Sequence, residues 1–132
     1  LRPLDCIRPY RLEMVRRPRG LNLYKFWGSK LRDDLYADTD IVVNLASNEY
    51  SKAVSKQLRP SDRFVTCEFL SSRGGKLRCL AANAKMARGA MARYLVHHQV
   101  DSLEGLTAFQ ALGFAFEPAL SNDSVYTYIQ QI

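Results

Sequence analysis

The amino-acid sequence predicts an α+β fold built around a mixed β-sheet that contains β-hairpins. Two features lead to this prediction: strand-like runs are separated by helical segments early in the chain, and later they follow one another as hairpins. The chain has 132 residues, a length at which one hydrophobic core is usual, so we expect residues 1–132 to form a single domain or one part of a longer protein. A doubly wound α/β fold would require more regular strand–helix–strand units.

The chain divides into short elements, without an internal repeat or a low-complexity tract. In order, the predicted elements are an arginine-rich arm or loop over residues 1–20, a helix over 22–35, a strand over 40–45, a helix over 48–54, hairpin strands over 63–70 and 76–82, a helix over 84–98, a helix from 101 or 102 to 109, and strands over 112–117 and 125–132.

Each early element follows from a local pattern. Residues 1–20 combine Pro and Gly with arginines, which disfavours a long regular element. Apolar side chains recur at intervals of three and four over residues 22–35, the spacing of a helix, and Asn22 is a candidate N-cap. Trp27 on this helix is predicted to lie in the core; the alternative is that it stacks on a nucleic-acid base. The apolar run over residues 40–45 is typical of a buried strand.

The later elements follow in the same way. Alternating runs flank Gly74 and Gly75, which predicts a β-hairpin closed by a Gly-Gly turn. The longest helical pattern comes next, and a tight turn at residues 99–102 leads into another helix. Residues 84–110 are therefore predicted to form a basic helix–turn–helix element. The alternation near the end of the chain predicts paired strands.

Basic side chains exceed acidic ones by six, and they are unevenly distributed. Residues 1–66 carry 13 basic and 8 acidic side chains, whereas residues 67–132 carry 6 and 5. The first twenty residues are rich in arginine, whose planar guanidinium suits phosphate, and residues 83–100 contain no acidic side chain. Both stretches are candidate surfaces for a polyanion such as DNA. The candidate nucleic-acid-binding residues are Arg8, Arg11, Arg16, Arg17, Lys85, Arg88 and Arg93.

The three cations of the basic helix cannot all contact one phosphate. Lys85 and Arg88 lie one turn apart on one face, and Arg93 lies about 140° further round the helix than Arg88. They are expected to contact different phosphates of one duplex, with backbone N–H groups of the following turn approaching the strand. The alternative is an ordinary solvated helix face.

A second candidate site lies where the strand over residues 40–45 meets the next helix. A helix N-terminus after a buried strand offers free N–H groups to an anion, and polar side chains surround this one. The candidate pocket residues are Glu13, Asn44, Ser47, Asn48 and Glu49. The alternative is that Ser47 only caps the helix and Asn44 only satisfies the turn.

No pattern of a catalytic triad, a phosphate-binding loop or a metal site occurs in the sequence, so we expect no cofactor and no metal. An enzyme is the alternative hypothesis: a carboxylate would act as general base on a nucleotide or phosphorylated small molecule held in a basic cleft. The residues proposed to line that cleft are Arg11, Glu13, Ser47, Glu49 and Lys85. Iron binding ranks last, because two histidines and scattered carboxylates form no ligand set.

Cysteine usage indicates a reducing compartment. Cys6, Cys67 and Cys79 form no C-x-x-C pair, and Cys67 and Cys79 fall in strand-like runs where free cysteine is usually buried. The first residues do not resemble a secretory signal and no apolar run approaches the length of a membrane span, so a cytoplasmic protein is expected.

Five strings of the sequence resemble the YaaA family of bacterial peroxide-stress proteins, in the order and approximate spacing of that family. They are LRPLDCIRPYRLEM (residues 1–14), NLYKFWG (22–28), VVNLASNEYSKAV (42–54), AKMARGAMARYLV (84–96) and LTAFQALGFAFE (106–117). Members of the family are longer, so the chain resembles their C-terminal half, and the missing N-terminal half is expected to pack against it.

The resemblance implies a cytoplasmic bacterial protein that helps cells survive hydrogen peroxide and binds DNA. It implies part of a larger α+β fold with a helix-hairpin-helix-like element and a positively charged cleft. Carried over by position, Lys85, Arg88 and Arg93 belong to one matching string, and Arg8 and Arg11 belong to another. The sequence departs from the family in two places: Met86 stands where relatives often have Lys, and residues 15–20 differ from the usual continuation.

Overall fold

The structure of the protein is a computed structural model that describes Cys6, residues 11–17 and residues 20–132. Its helices are α1 (Leu23–Trp27), α2 (Lys30–Leu35), α3 (Asn48–Ser55), α4 (Ala81–His97) and α5 (Leu103–Thr107), with a 3-10 turn at Pro118–Leu120. Its strands are β1 (Ile41–Asn44), β2 (Arg63–Arg73), β3 (Lys76–Arg78), β4 (Gln110–Ala111), β5 (Phe114–Phe116) and β6 (Val125–Gln131). No helix of the described ranges is long and apolar enough to cross a membrane.

The strands form one mixed sheet in the order β1-β2-β6-β5-β4, with β3 attached to β2. The central strand β2 pairs in parallel with β1 and β6, while β3, β4 and β5 complete antiparallel pairs. Long crossovers permit the parallel pairs, and short turns after Arg73 and Ala111 produce the hairpins. The predicted α+β fold with a mixed sheet and hairpins is confirmed.

The core lies between α4 and one face of the sheet. Because side chains alternate along a strand, Val65, Cys67 and Phe69 of β2 point to the same face and are all buried. Helix α4 covers them with a stripe of small and flexible side chains at intervals of three and four residues. The buried members of this stripe are Ala84, Ala87 and Met91.

An aromatic cluster fills the centre of this core. The Phe69 ring stacks on the Tyr128 ring with centroids 5.1 Å apart, and it meets Phe109 and Phe114 edge-on at 6.2 and 5.5 Å. The Tyr128 hydroxyl donates a hydrogen bond to the Leu106 carbonyl oxygen at 2.9 Å, so its polar end is satisfied although the side chain is fully buried. The cluster joins α5 and the last strands to the sheet beneath α4.

Several details of the prediction are wrong, including the strand predicted over residues 76–82, which ends at Arg78 before α4 begins at Ala81. The predicted helix over residues 22–35 is two helices, because Gly28 adopts a φ of 51° that ends α1. Trp27 and its neighbour Phe26 are 37% and 49% exposed, so they do not lie in the core of the described chain. Cys79 is exposed and only Cys67 is buried, because β3 ends at Arg78 and Cys79 lies in the connection to α4.

The turn after α4 has a defined geometry. The Val100 N–H bonds to the Leu95 carbonyl at 3.0 Å and the Gln99 N–H to the Val96 carbonyl at 3.3 Å, with Gln99 at a φ of 50°. This pair of bonds around a left-handed residue is a Schellman motif, which satisfies the last carbonyls of α4. The predicted turn between two helices is therefore present, whereas its identity as a helix-hairpin-helix motif stays a prediction.

Candidate nucleic-acid interface

Helix α4 presents two chemically different faces. Its buried stripe packs on the sheet, and its other positions hold Lys85 and Arg93, which are exposed, and Arg88, which is half-exposed. No residue of α4 is acidic, since the helix reads AANAKMARGAMARYLVH. The packing of the apolar stripe thus fixes the direction in which the cations emerge.

The positive charge of this region is not balanced by acidic residues within the same segment of the sequence. Between residues 69 and 100 the sequence holds six basic residues and no acidic one, and six is the formal net charge of the whole chain. The remaining residues carry 13 basic and 13 acidic side chains, by subtraction from totals of 19 and 13. Within the described ranges, the ion pairs involve only arginines outside this segment. The excess charge is therefore concentrated in the β2–β3 hairpin and α4.

The cations of α4 lie towards opposite ends of the helix. Lys85 precedes Arg93 by eight residues, which corresponds to about 12 Å along the axis. Arg93 borders a cavity of about 250 Å³ together with His97 and His98, whereas Arg88 borders a separate cavity. The His97 and His98 rings lie 5.1 Å apart at 87°, an edge-to-face arrangement. Arg88 and Arg93 thus border different cavities, while the contact of the α4 cations with separate phosphates stays a prediction.

Part of the predicted arm packs against the body of the protein. The Arg11 guanidinium pairs with the Glu49 carboxylate at 3.2 Å, and the Met14 N–H contacts the same carboxylate at 3.4 Å. The hydrogen bond to Glu49 raises the pKa of Arg11 above its ordinary value. Met14 is 4% exposed, so this contact anchors residues 11–17 on α3.

The other arm arginines differ in their surroundings. Arg16 and Arg17 are exposed, and they line a cavity of about 410 Å³ with Leu12 and Leu23. Arg8 lies outside the described residues. Arg16 and Arg17 are therefore accessible to a polyanion, while Arg11 already has an acidic partner.

Two of the polar residues predicted near the start of α3, Asn44 and Glu49, bind other groups of the protein. Asn44 donates through Nδ2 to the Thr66 hydroxyl at 3.1 Å and accepts through Oδ1 from the Ala46 N–H at 2.9 Å. Ser47 occupies the N-cap position, as predicted, but its side chain makes no capping hydrogen bond. Glu13 is exposed, and the Glu49 carboxylate binds the arm as described above. The structure therefore does not gather the five predicted residues around one anion site.

One cavity does join α3 to α4. It measures about 340 Å³, and its wall includes Asn48 from α3, Glu68 from β2 and Arg88 from α4. Cys67 also borders it, and burial raises the pKa of this thiol to about 11, so it stays protonated at neutral pH. The sequence analysis missed Glu68, whose only signal is an acidic residue on the outward-facing side of an alternating strand.

Two further arginines are neutralised by structural ion pairs. Arg32 is 7% exposed and donates through Nε to the Asp62 carboxylate at 2.7 Å. This hydrogen bond lowers the pKa of Asp62 and raises that of Arg32. Arg59 pairs with Asp33 at 2.9 Å. These ion pairs join α2 to the loop before β2, whereas no cation of the hairpin or α4 belongs to an ion pair within the described residues.

The protein is thus an α+β protein with an exposed cationic helix. Comparison with known proteins assigns the family: the family model described as peroxide stress protein YaaA matches residues 1–120. The chain belongs to this family, which confirms the resemblance found in the sequence.

The chain is also similar to several curated relatives described as UPF0246 proteins. It is 40% identical over 131 residues to the protein of Ligilactobacillus salivarius, covering 96% of this chain and 53% of the relative. The protein of Limosilactobacillus reuteri is 45% identical over 126 residues, with coverages of 93% and 51%. That of Bordetella petrii is 45% identical over 130 residues, with coverages of 92% and 50%. The chain spans about half the length of these relatives.

Proposed function

We propose that the protein is a cytoplasmic DNA-binding protein of the peroxide stress response. It contacts duplex or distorted DNA mainly through phosphates. The observation that carries the proposal is the acid-free helix α4, whose cations Lys85, Arg88 and Arg93 lie off its buried stripe without an acidic partner in the described ranges. Membership of the peroxide stress family supports the physiological setting.

Phosphate contacts of this kind explain affinity without sequence preference. Lysine and arginine displace counterions from the nucleic-acid backbone, and this gain is independent of the bases. Arg88 and Arg93 point about 140° apart on α4, so they would bind different phosphates. The exposed Arg16 and Arg17 would extend the contact from the arm.

The rest of the full-length protein is proposed to pack against this chain. The curated relatives are about twice as long, and Phe26 and Trp27 are exposed in an edge-to-face pair with centroids 5.2 Å apart. Exposed neighbouring aromatic rings are typical of a surface that another segment covers. We expect Phe26→Ser/Trp27→Ser to destabilise the complete protein much more than residues 1–132 alone. Equal effects on the two would contradict this arrangement.

The test of DNA binding is fluorescence anisotropy with the complete protein and duplex, bubble and single-stranded DNA over a range of salt. The variant is Lys85→Gln/Arg88→Gln/Arg93→Gln. The matched control is Lys25→Gln/Lys52→Gln/Lys56→Gln, which removes three exposed charges from α1, α3 and the position after α3. Each lost phosphate contact lowers the slope of log affinity against log salt by about 0.9, so the helix variant should lose about two to three units.

The control should retain the wild-type affinity and slope apart from a small general charge effect. Absence of binding by the folded wild-type protein contradicts the proposal. The cavity bordered by Asn48, Glu68 and Arg88 would then be the place to test for a nucleotide or a phosphorylated small molecule.

A further inference from the structure

The β2–β3 hairpin carries three cations on one face. Its register places Arg73 directly opposite Lys76, and Ser71 directly opposite Arg78. Opposed residues of antiparallel strands share a face, as do residues two apart on one strand, so Arg73, Lys76 and Arg78 all point the same way. Like charges that face each other across a sheet are destabilising, which makes an anion between them favourable.

The three hairpin cations form no ion pair with an acidic residue in the described part of the chain, and no acidic residue lies close to them in sequence. Arg73, Lys76 and Arg78 are exposed, and none of them belongs to an ion pair within the part of the chain that the structure describes. The nearest acidic residues along the chain are Glu68 and Asp101. Within the described residues, no Asp or Glu side chain forms an ion pair that would relieve the repulsion across the hairpin.

A cavity opens between the hairpin and the start of α4. It measures about 280 Å³ and is lined by Ser71, Arg73, Lys76, Arg78, Leu80 and Ile132. Leu80 is the N-cap residue of α4, so it has no side-chain group that accepts a bond from the first N–H groups, and the first turn contains no acidic residue. Those N–H groups and the helix dipole add to the attraction for an anion that the three cations create.

The walls of this cavity are held in place. The Ser71 hydroxyl donates to Gln130 Oε1 at 3.2 Å, and the Asn83 amide donates to the same oxygen at 2.9 Å. One β6 side chain thus ties the hairpin to the first turn of α4. Since Ser71 and Asn83 share this partner, the hairpin strand β2 and the first turn of α4 are held together at this point.

The hairpin site continues into the cation pair of α4. Arg78 and Leu80 border the hairpin cavity, and Cys79 between them borders the neighbouring cavity that Arg88 also lines. Lys85 lies one helical turn before Arg88, while Arg93 emerges about 140° away. The basic surface nearest to the hairpin is therefore formed by the first half of α4.

We propose that the β2–β3 hairpin is a phosphate-binding site, and that it forms the main DNA contact together with Lys85 and Arg88. The ligand group is a backbone phosphodiester. It binds between Arg73, Lys76 and Arg78 near the first N–H groups of α4. This inference rests on the DNA-binding function proposed above, and it adds a contact site that lies outside the helix–turn–helix element.

The experiment measures duplex affinity across salt for the complete protein and its Arg73→Gln/Lys76→Gln/Arg78→Gln variant. The Lys25→Gln/Lys52→Gln/Lys56→Gln variant serves again as the control, because it loses the same charge elsewhere. We expect the hairpin variant to lose about two to three units of salt slope while the control keeps the wild-type slope. Arg73→Lys/Arg78→Lys, which keeps the charge and the strand register, should retain most of the slope.

A second readout is titration of the complete protein with inorganic phosphate, followed by amide NMR shifts. Saturable shifts are expected at Gly74, Gly75 and Ala82, and they should vanish in the hairpin variant. If the hairpin variant binds DNA like the control while the α4 variant loses slope, this inference is overturned and the proposed function stands. If the wild type does not bind duplex DNA, both fall. If the hairpin variant does not fold, the Arg73→Lys/Arg78→Lys variant and the phosphate titration of the wild type test the inference instead. Absence of saturable shifts in the wild type overturns the phosphate site.

Discussion

Two methionines on α4 provide a direct test of which face of the helix is buried. Met91 is fully buried in the core, whereas Met86, five residues earlier, is 58% exposed. Burial of a methionine side chain contributes about 1.5–3 kcal/mol, and the space left by truncation adds a cavity term. Met91→Ala should therefore reduce the free energy of unfolding by about 2–5 kcal/mol.

Met86→Ala is the matched control, because it makes the same chemical change in the same helix. Alanine and methionine differ little in helix propensity, so a change at an exposed position should stay within about 0.5 kcal/mol. Urea-induced unfolding of both variants, followed by far-UV circular dichroism, gives the two free energies under identical conditions. Losses that agree within about 0.5 kcal/mol would refute the assignment of the faces, and with it the outward direction of the α4 cations.

Three further predictions concern buried polar groups. Tyr128→Phe removes the donor to the Leu106 carbonyl, and it should lower the free energy of unfolding by about 1–3 kcal/mol, because that acceptor is left unpaired. Chemical denaturation measures this change, and no loss of stability would contradict the buried hydrogen bond. Burial raises the pKa of the Cys67 thiol from 9.0 to about 11, so the protonated thiol stabilises the folded state. The contribution of this thiol to the free energy of unfolding should disappear as pH rises from about 9 to 11. Cys67→Ala should flatten this part of the stability profile, and an unchanged slope would argue against burial of the thiol. The hydrogen bond from Arg32 holds the pKa of Asp62 below 3.8, so this carboxylate stabilises the folded state above that pH and the stabilisation is lost as pH falls below it. Asp62→Asn should therefore weaken the fall of the melting temperature at acid pH. An equally steep fall in the variant would exclude the ion pair.

Local patterns were sufficient for most of the secondary structure. The alternation in residues 63–70 identified the central strand β2, and the stripe containing Ala87 and Met91 identified α4 and its buried side. The Gly74-Gly75 turn was placed correctly because glycine readily adopts the positive φ that both residues show. Periodicity failed at Gly28, where one residue with positive φ divides a continuous apolar pattern into two helices.

The candidate sites were harder to predict, because they depend on partners distant in sequence. Glu49 was predicted at an anion site, yet it binds Arg11, 38 residues earlier in the chain. Arg32 was not singled out from the sequence, although it pairs with Asp62 across 30 residues. A single sequence contains no signal that selects one such ion pair among many possible ones.

The sequence by itself determined the α+β class, the family and the presence of an acid-free basic segment, because composition and local periodicity follow directly from the order of residues. The tertiary structure alone decided which charges remain uncompensated. Ion pairing neutralises Arg11, Arg32 and Arg59, whereas strand register places Arg73 opposite Lys76. Coulomb interactions depend on distances between side chains that are remote in the chain, and folding sets those distances.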